Sequence, residues 1–346
     1  MYKRFVVIGS NSFSGSNLTR YLLQQGHQVL GVSRSAEPDA VFLPYKTDPS
    51  HLDLFEFFQG DLNIDHREVV DLIQDFSPEY VVNFAAQGMV AQSWDSPEDW
   101  YQTNVVAQVR LHDVLRKLQS LKKYVHVTTP EVYGSTNGWI TESNNFSPST
   151  PYAVSRAACD LHLMSFFRAY HFPVVFTRAA NVYGPGQQLY RIIPRALMCA
   201  RTGQRLQLHG GGQSVRCFIH IEDVAEATYQ IALRGESGQC YHISTQQKIS
   251  IRELVERIAN MTGIALSELV EISDERLGKD QAYLLDSAKL REELGWSDVV
   301  DLDTGIAKTC DWVDANLGTL LDQPQTYIHK PYVNPTEDSS NWWLRL

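Results

Sequence analysis

An α/β fold, with a doubly wound parallel sheet and a smaller α/β lobe, is the architecture that the sequence predicts. Three observations carry the prediction. Five short apolar runs alternate with segments of helical period over the first 130 residues. The first run ends in a turn of small residues that opens a helix, and the length of 346 residues suits one large unit with a second lobe. Strands alternating with helices imply right-handed parallel crossovers, with ligands held at the C-terminal strand ends.

The first run is RFVVIG, and the helical segment after it is closed by Gly26. Between them lies Gly9-Ser-Asn-Ser12-Phe13-Ser-Gly15, the spacing of a GxxGxxG dinucleotide loop with Ser12 in place of the middle glycine. Small residues in such a loop let backbone N–H groups approach a pyrophosphate at the helix N-terminus. The second run, HQVLGVSRS, ends in Ser33-Arg34, with no acid there to bind a ribose 2′-OH. A hydroxyl followed by a guanidinium suits a 2′-phosphate, so NADP(H) is expected, with NAD the alternative. LFEFFQGDL places Asp61 and Leu62 at the end of a third strand, and YVVNFAAQ ends a fourth in Asn83, Ala85 and Ala86, small enough to lie against a flat cofactor. A long amphipathic helix follows over SWDSPEDWYQTNVVAQVRLHDVLRKL, then the fifth strand, KYVHVTT.

Composition narrows the function classes. Hydrophobic residues at 43% and charged residues at 20% are those of a globular protein, and a formal net charge of −10 gives no general attraction to nucleic acid or an anionic membrane. Five widely spaced cysteines without a CxxC indicate neither a disulfide framework nor a zinc site. With no signal peptide or long apolar stretch evident, a cytoplasmic protein is expected.

Chemistry concentrates between Thr128 and Arg156. Thr129 and Glu131 follow the fifth strand, and Tyr152 precedes Arg156 by four residues in a segment of helical period. A tyrosine titrates near pH ~10 and becomes a base at neutral pH only beside a cation. The phenol and guanidinium are expected on the same side of the helix.

Taken in order, the Gly9–Gly15 loop, Asp61-Leu62, NFAAQ, TTPEVYG, PYAVSR, RAANVYGPGQ, VRCFIHIEDVAEA and AYLLDSAKLREELGW span nearly the whole chain. Together they resemble an extended short-chain dehydrogenase/reductase of the nucleotide-sugar epimerase and dehydratase group. The resemblance implies a Rossmann domain over residues 1–180, rejoined by 218–245, and a nucleotide-sugar lobe mainly over 181–346. It implies cofactor contacts from Gly9, Ser12, Phe13, Gly15, Ser33, Arg34, Asp61, Leu62, Ala85, Ala86, Asn104, Tyr152 and Arg156. Gln87, Asn181, Arg216 and Arg276 would hold the substrate, and Thr129, Glu131, Tyr152 and Arg156 would carry the reaction. Besides Ser12, two further departures stand out: Arg156 replaces the family's usual lysine, and Thr129-Pro130-Glu131 replaces Thr-Asp-Glu.

The reaction implied is a 4,6-dehydration of a nucleotide sugar. A C4 epimerase shares the oxidation but has no use for Glu131, and a non-catalytic nucleotide-sugar or NADP-binding protein is the rival from another class. Helices 99–119 and 152–170 are expected to pair in a homodimer or homotetramer, through residues such as Leu111, Leu115, Leu161 and Phe166. RLQLHGGGQSVRCFIH reads as a glycine-rich hairpin or loop, and the tail with Trp342 and Trp343 is expected to pack on the body or a partner subunit.

Overall fold

Strands covered on both faces read as continuous apolar runs, and this is the pattern of Arg4–Ile8 (β1), Gln28–Ser33 (β2) and, after the half-buried Phe55–Gln59 (β3), Tyr80–Asn83 (β4). Lys123–Val127 (β5), Val174–Ala179 (β6) and Cys240–Ile243 (β7) complete one parallel sheet in the order β7-β6-β5-β4-β1-β2-β3. The computed structural model describes residues 2–47, 49–136, 138–273 and 284–332. Val6 stands opposite Leu30 on one side and Val81 on the other, so β1 lies where the strand order reverses. That switch point is where a doubly wound sheet opens a crevice for ligands.

Helices cover both faces. Phe13–Gln24 (α1) and the later Ile221–Arg234 helix pack over one face, where Leu18, Leu22, Val224 and Ile231 join Phe5 and Val7 in the core. The other face is covered by His66–Phe76 (α2), by the run Pro97–Tyr101 (α3) to Ala107–Leu115 (α4), and by Pro151–Tyr170 (α5). Between α3 and α4, Gln102–Val106 forms a π turn, which helical periodicity alone does not distinguish from α-helix. Leu111 and Leu115, expected at a subunit interface, instead pack against the sheet at 0% and 1% exposure. Phe166 is half-buried against the same core, and Leu161 remains exposed.

The second lobe has its own core, in which Ile193, Leu197, Leu254, Ile258, Ile306 and Val313 come from three helices. A capping box at Ser250 and Glu253 starts the middle helix. Of the expected glycine-rich hairpin or loop, the loop is found among the described residues: Leu206–His209 pairs in parallel with Val270–Ser273, and Val215–Arg216 pairs with Ile249–Ser250. Gly210, Gly211 and Gly212, all at positive φ, carry the chain between strands that have different partners. The return of Cys240–Ile243 to the large sheet interleaves the two lobes. Arg276, Trp342 and Trp343 lie outside the described residues.

A buried ion pair fixes α5 on the sheet. Asp160 on α5 accepts from Arg178 on β6 at 2.7 Å, and the two side chains are 2% and 1% exposed. Burial pushes the Asp160 carboxyl up, but Arg178 and His126 outweigh it and hold the group below its ordinary range. Asp160→Asn should therefore cost on the order of 3–5 kcal/mol, because it leaves a buried guanidinium without its charge partner. Urea unfolding would measure the loss, and a change below about 1 kcal/mol would show that the pair does not fix the helix.

Candidate active site

The crevice at the switch point is a cavity of about 500 Å³ lined by the β1–α1 turn, the ends of β2, β3 and β4, and residues from the far end of the chain. Gly9 has φ +82°, and a Cβ on it would meet the backbone of Phe84 and Ala85 at 3.0–3.1 Å. A Cβ on Gly15 would stand 2.2 Å from the Gly9 carbonyl oxygen, so this close approach requires glycine. Ser12 caps α1: its hydroxyl donates to the Gly9 carbonyl at 2.7 Å and accepts from the Gly15 N–H at 3.0 Å. The serine in the middle-glycine position thus ties the turn together. A cradle that a side chain would fill, at a helix N-terminus, fits the pyrophosphate of a dinucleotide. Phe13 is instead buried in the core behind the turn.

Leu62, Ala85 and Ala86 line the crevice, as does Asp61, whose carboxylate accepts from the backbone and side-chain N–H groups of Asn63. Ser33 lines it too, but its hydroxyl accepts from Asn11 N–H at 2.9 Å and stands 3.3 Å from the Ser10 hydroxyl. Ser33 therefore shapes the turn, and Arg34 is the residue directed across the crevice, 3.4 Å from Gln87 Oε1. Asn104 does not reach the crevice. Its amide bonds both backbone groups of Gln87 and the Ser155 hydroxyl, so it clamps β4 to α5 from the π turn. Gln87, expected among the substrate contacts, is 1% exposed and donates to the Lys330 carbonyl at 2.7 Å.

Thr129, Glu131 and Tyr152 converge at the ends of β5 and α5. Thr129 caps the 3₁₀ turn Pro130–Tyr133 by accepting from the Glu131 N–H, with Pro130 at the first position, where no donor is needed. Thr150 caps α5 by accepting from Ala153 N–H at 3.2 Å, which sets Tyr152 in the first turn. Burial raises the Tyr152 pKa and Glu131 adds to the rise, while Arg156, a hydrogen bond with Thr129 and Arg191 oppose it. Arg191 is exposed at the start of the Ile192–Thr202 helix and was not foreseen; its signal is a lone cation directly after the VYGPGQQLY run.

Arg156 departs from expectation. Its guanidinium is 2% exposed and turns inward, donating to the Val127 carbonyl and approaching His126 Nε2 at 3.3 Å. Nε and Nη1 are buried with no hydrogen-bond partner among the described residues. The long side chain thus leaves the crevice and acts on Tyr152 through its charge from below. Although no metal-ligand spacing shows in the sequence, the fold brings His112, His126 and Cys159 within 4.8 Å of one another beneath it. Burial lowers His126 to about 4 and raises Cys159 to about 12, and the Arg156 cation disfavours a metal ion there.

Of the expected substrate contacts, Asn181 begins the short strand Asn181–Tyr183, and Arg216, 8% exposed, donates to the Val215 carbonyl at 2.8 Å.

The family model described as GDP-mannose 4,6 dehydratase matches residues 6–309. The chain belongs to this family of extended short-chain dehydrogenase/reductases. A probable dTDP-glucose 4,6-dehydratase of Sinorhizobium fredii is 30% identical over 325 residues, covering 89% of this chain and 92% of that protein. A trifunctional UDP-glucose 4,6-dehydratase, 3,5-epimerase and reductase of Arabidopsis thaliana is 30% identical over 338 residues and 93% of this chain, which spans 50% of that longer protein. The crystal structure of DesIV, the dTDP-glucose 4,6-dehydratase of Streptomyces venezuelae with NAD bound, superimposes with a TM-score of 0.83 at 30% identity, covering 91% of this chain and 98% of that one.

Within a dehydratase family the charge beneath the phenol becomes measurable. Loss of a cation disfavours the phenolate, so Arg156→Ala should raise the Tyr152 pKa further, whereas Arg156→Lys should hold it near the wild-type midpoint. Ultraviolet titration of the phenolate, with Tyr152→Phe to isolate its signal, would check the shift. Superimposable titrations of wild type and Arg156→Ala would remove Arg156 from the activation of Tyr152.

Proposed function

We propose that the protein is a nucleotide-sugar 4,6-dehydratase that binds its nicotinamide cofactor in the crevice above β1. The observation that carries the reading is the carboxylate of Glu131 beside Tyr152, close enough for its charge to raise the phenol's pKa. A base at C5 is what dehydration needs and what simple C4 epimerisation does not.

The roles follow from the geometry. Tyr152, as phenolate, takes the proton of the sugar C4 hydroxyl, and Thr129, already hydrogen-bonded to the phenol, orients that oxygen. When bound, the nicotinamide supplies the hydride acceptor for C4 and later the donor for C6. The C4 ketone acidifies the C5 proton, which Glu131 removes. Pro130 has no titratable group, so Glu131, once protonated, is also the acid for the departing C6 hydroxyl. Arg191 and Arg216 are the candidates for the diphosphate, because cations close to phosphate oxygens make charge-assisted hydrogen bonds that offset the protein's net negative charge, and Asn181 would add a neutral amide donor. The solved relative DesIV holds NAD, so a nicotinamide cofactor is supported and NAD(H) is the form that likeness favours; the feature of this chain that supports NADP(H) instead is Arg34 at the end of β2, with no acid beside it in sequence. The partner most consistent with the surface is a second copy: Tyr101 and Val106 near α3, and Val154 and Leu161 on α5, leave apolar side chains exposed.

A panel of nucleotide sugars followed by mass spectrometry tests the activity, with loss of one water the expected result. Retention of mass with inversion at C4 would favour epimerisation, and no conversion of any substrate would favour a binding protein. Glu131→Gln should abolish water loss and solvent deuterium uptake at C5 while leaving C4 oxidation visible as reduced nicotinamide absorbance. Because Glu131 raises the Tyr152 pKa, the same variant should shift the pH midpoint of that oxidation downward. Dehydration at near wild-type rate in the variant would take Glu131 out of the mechanism.

A further inference from the structure

Residues 323–332, which follow the Leu302–Leu321 helix of the second lobe, cross back over the cofactor crevice. Gln323, Pro324, Thr326, Tyr327, Ile328 and Lys330 line the cavity together with the β1–α1 turn and the end of β2. Specific contacts hold the crossing in place. On the β4 side, His329 stacks on Trp100 with ring centroids 5.0 Å apart and planes 5° from parallel. His329 Nε2 donates to Asp99 Oδ2 at 2.6 Å, and the Tyr332 N–H donates to Asp99 Oδ1 at 3.0 Å. Gln87 donates to the Lys330 carbonyl at 2.7 Å, and the Tyr327 ring meets Tyr190 edge to face at 5.8 Å.

At the β2 side the Lys330 ammonium donates to the Ser35 hydroxyl at 2.6 Å. Ser35 directly follows Arg34, at the strand end where a doubly wound sheet meets the adenosine ribose. The neighbouring acid does not neutralise this corner, because the Glu37 carboxylate is taken by the Tyr45 hydroxyl and by Lys46, each at 2.7 Å. Arg34 lies near enough to the strap for its charge to oppose the rise in the Tyr327 pKa, which burial causes.

We propose that residues 323–332 form a clasp belonging to the cofactor site, in which Lys330 joins Arg34 and Ser35 to bind the 2′-phosphate of NADP(H). The inference rests on the reading of this crevice as an NADP(H) site. A phosphate dianion takes charge-assisted hydrogen bonds from Arg34 at the end of β2 and from Lys330 on the crossing segment, so it is bound best when the clasp is closed. NAD(H) carries only a hydroxyl there and gains little from Lys330.

Fluorescence titration of the full chain with NADPH and with NADH tests this. Wild type should bind NADPH more tightly. Lys330→Met keeps the length of the stem and removes the charge; it should raise the NADPH dissociation constant about ten- to a hundred-fold and the NADH constant by less than about two-fold. Lys330→Arg should restore the NADPH preference, and high salt should shrink the difference between wild type and Lys330→Met. An NADPH preference that survives unchanged in Lys330→Met but is lost in Arg34→Ala would overturn the clasp while leaving the NADP(H) reading intact. Equal losses for both cofactors in Lys330→Met would overturn the phosphate pocket in favour of a general strap. A wild type with no preference for NADPH would reject the NADP(H) reading and the pocket with it.

Discussion

The Asp160 carboxylate is the point on which the catalytic geometry depends. It accepts from Arg178 on β6 and from the Thr128 hydroxyl just past β5, so α5 is held at a set height over two strand ends. Arg178 in turn donates to the Tyr133 hydroxyl at 2.9 Å and approaches Cys240 Sγ on β7 at 2.8 Å. Tyr133 ends the short turn that carries Glu131. One buried guanidinium therefore couples the helix that presents the phenol to the turn that presents the carboxylate. The phenol of Tyr152 and the carboxylate of Glu131 are thus positioned through one shared partner.

Three positions depart from the family's usual residues, and the fold absorbs each differently. Ser12 lines the crevice but spends its hydroxyl inside the turn, where it caps α1. Pro130 occupies the first position of a 3₁₀ turn, where its fixed φ suits the backbone and its missing N–H leaves nothing unsatisfied. Arg156 is the costly one: a planar guanidinium buried among His126, Val127 and Asp160 leaves two nitrogens without a hydrogen bond among the described residues. A cation is thus kept beneath the phenol, although the side chain no longer lies in the crevice.

Much of the fold was legible because its strands are buried on both faces and its turns carry small residues. The alternation of β-branched runs with helical periods leads directly to the seven-stranded sheet, and Gly9, Ser12 and Gly15 fall at the turn their spacing implies. Long-range pairing was not legible. Leu206–His209 looks like one arm of a hairpin because three glycines follow it, yet its partner is Val270–Ser273, and no local signal identifies that strand. The i,i+4 spacing of Tyr152 and Arg156 places their Cβ atoms on one side but does not fix where four carbon–carbon and carbon–nitrogen torsions send a guanidinium. Gln87 and Asn104 show the same limit: their amides are engaged by residues far apart in sequence, Lys330 and Ser155, which no local pattern signals.

The route of residues 323–332 also orders the life of the protein during its synthesis. The dinucleotide turn and most of the sheet around it emerge from a ribosome well before residues 323–332, and folding of an emerging chain proceeds in that order. Trp100, Asp99 and Gln87 are then in place long before His329 and Lys330 have been made. A nascent chain therefore presents an open groove from which a captured dinucleotide can escape. Closure waits until residues 323–332 have been translated, so firm retention of the cofactor depends on segments of both lobes.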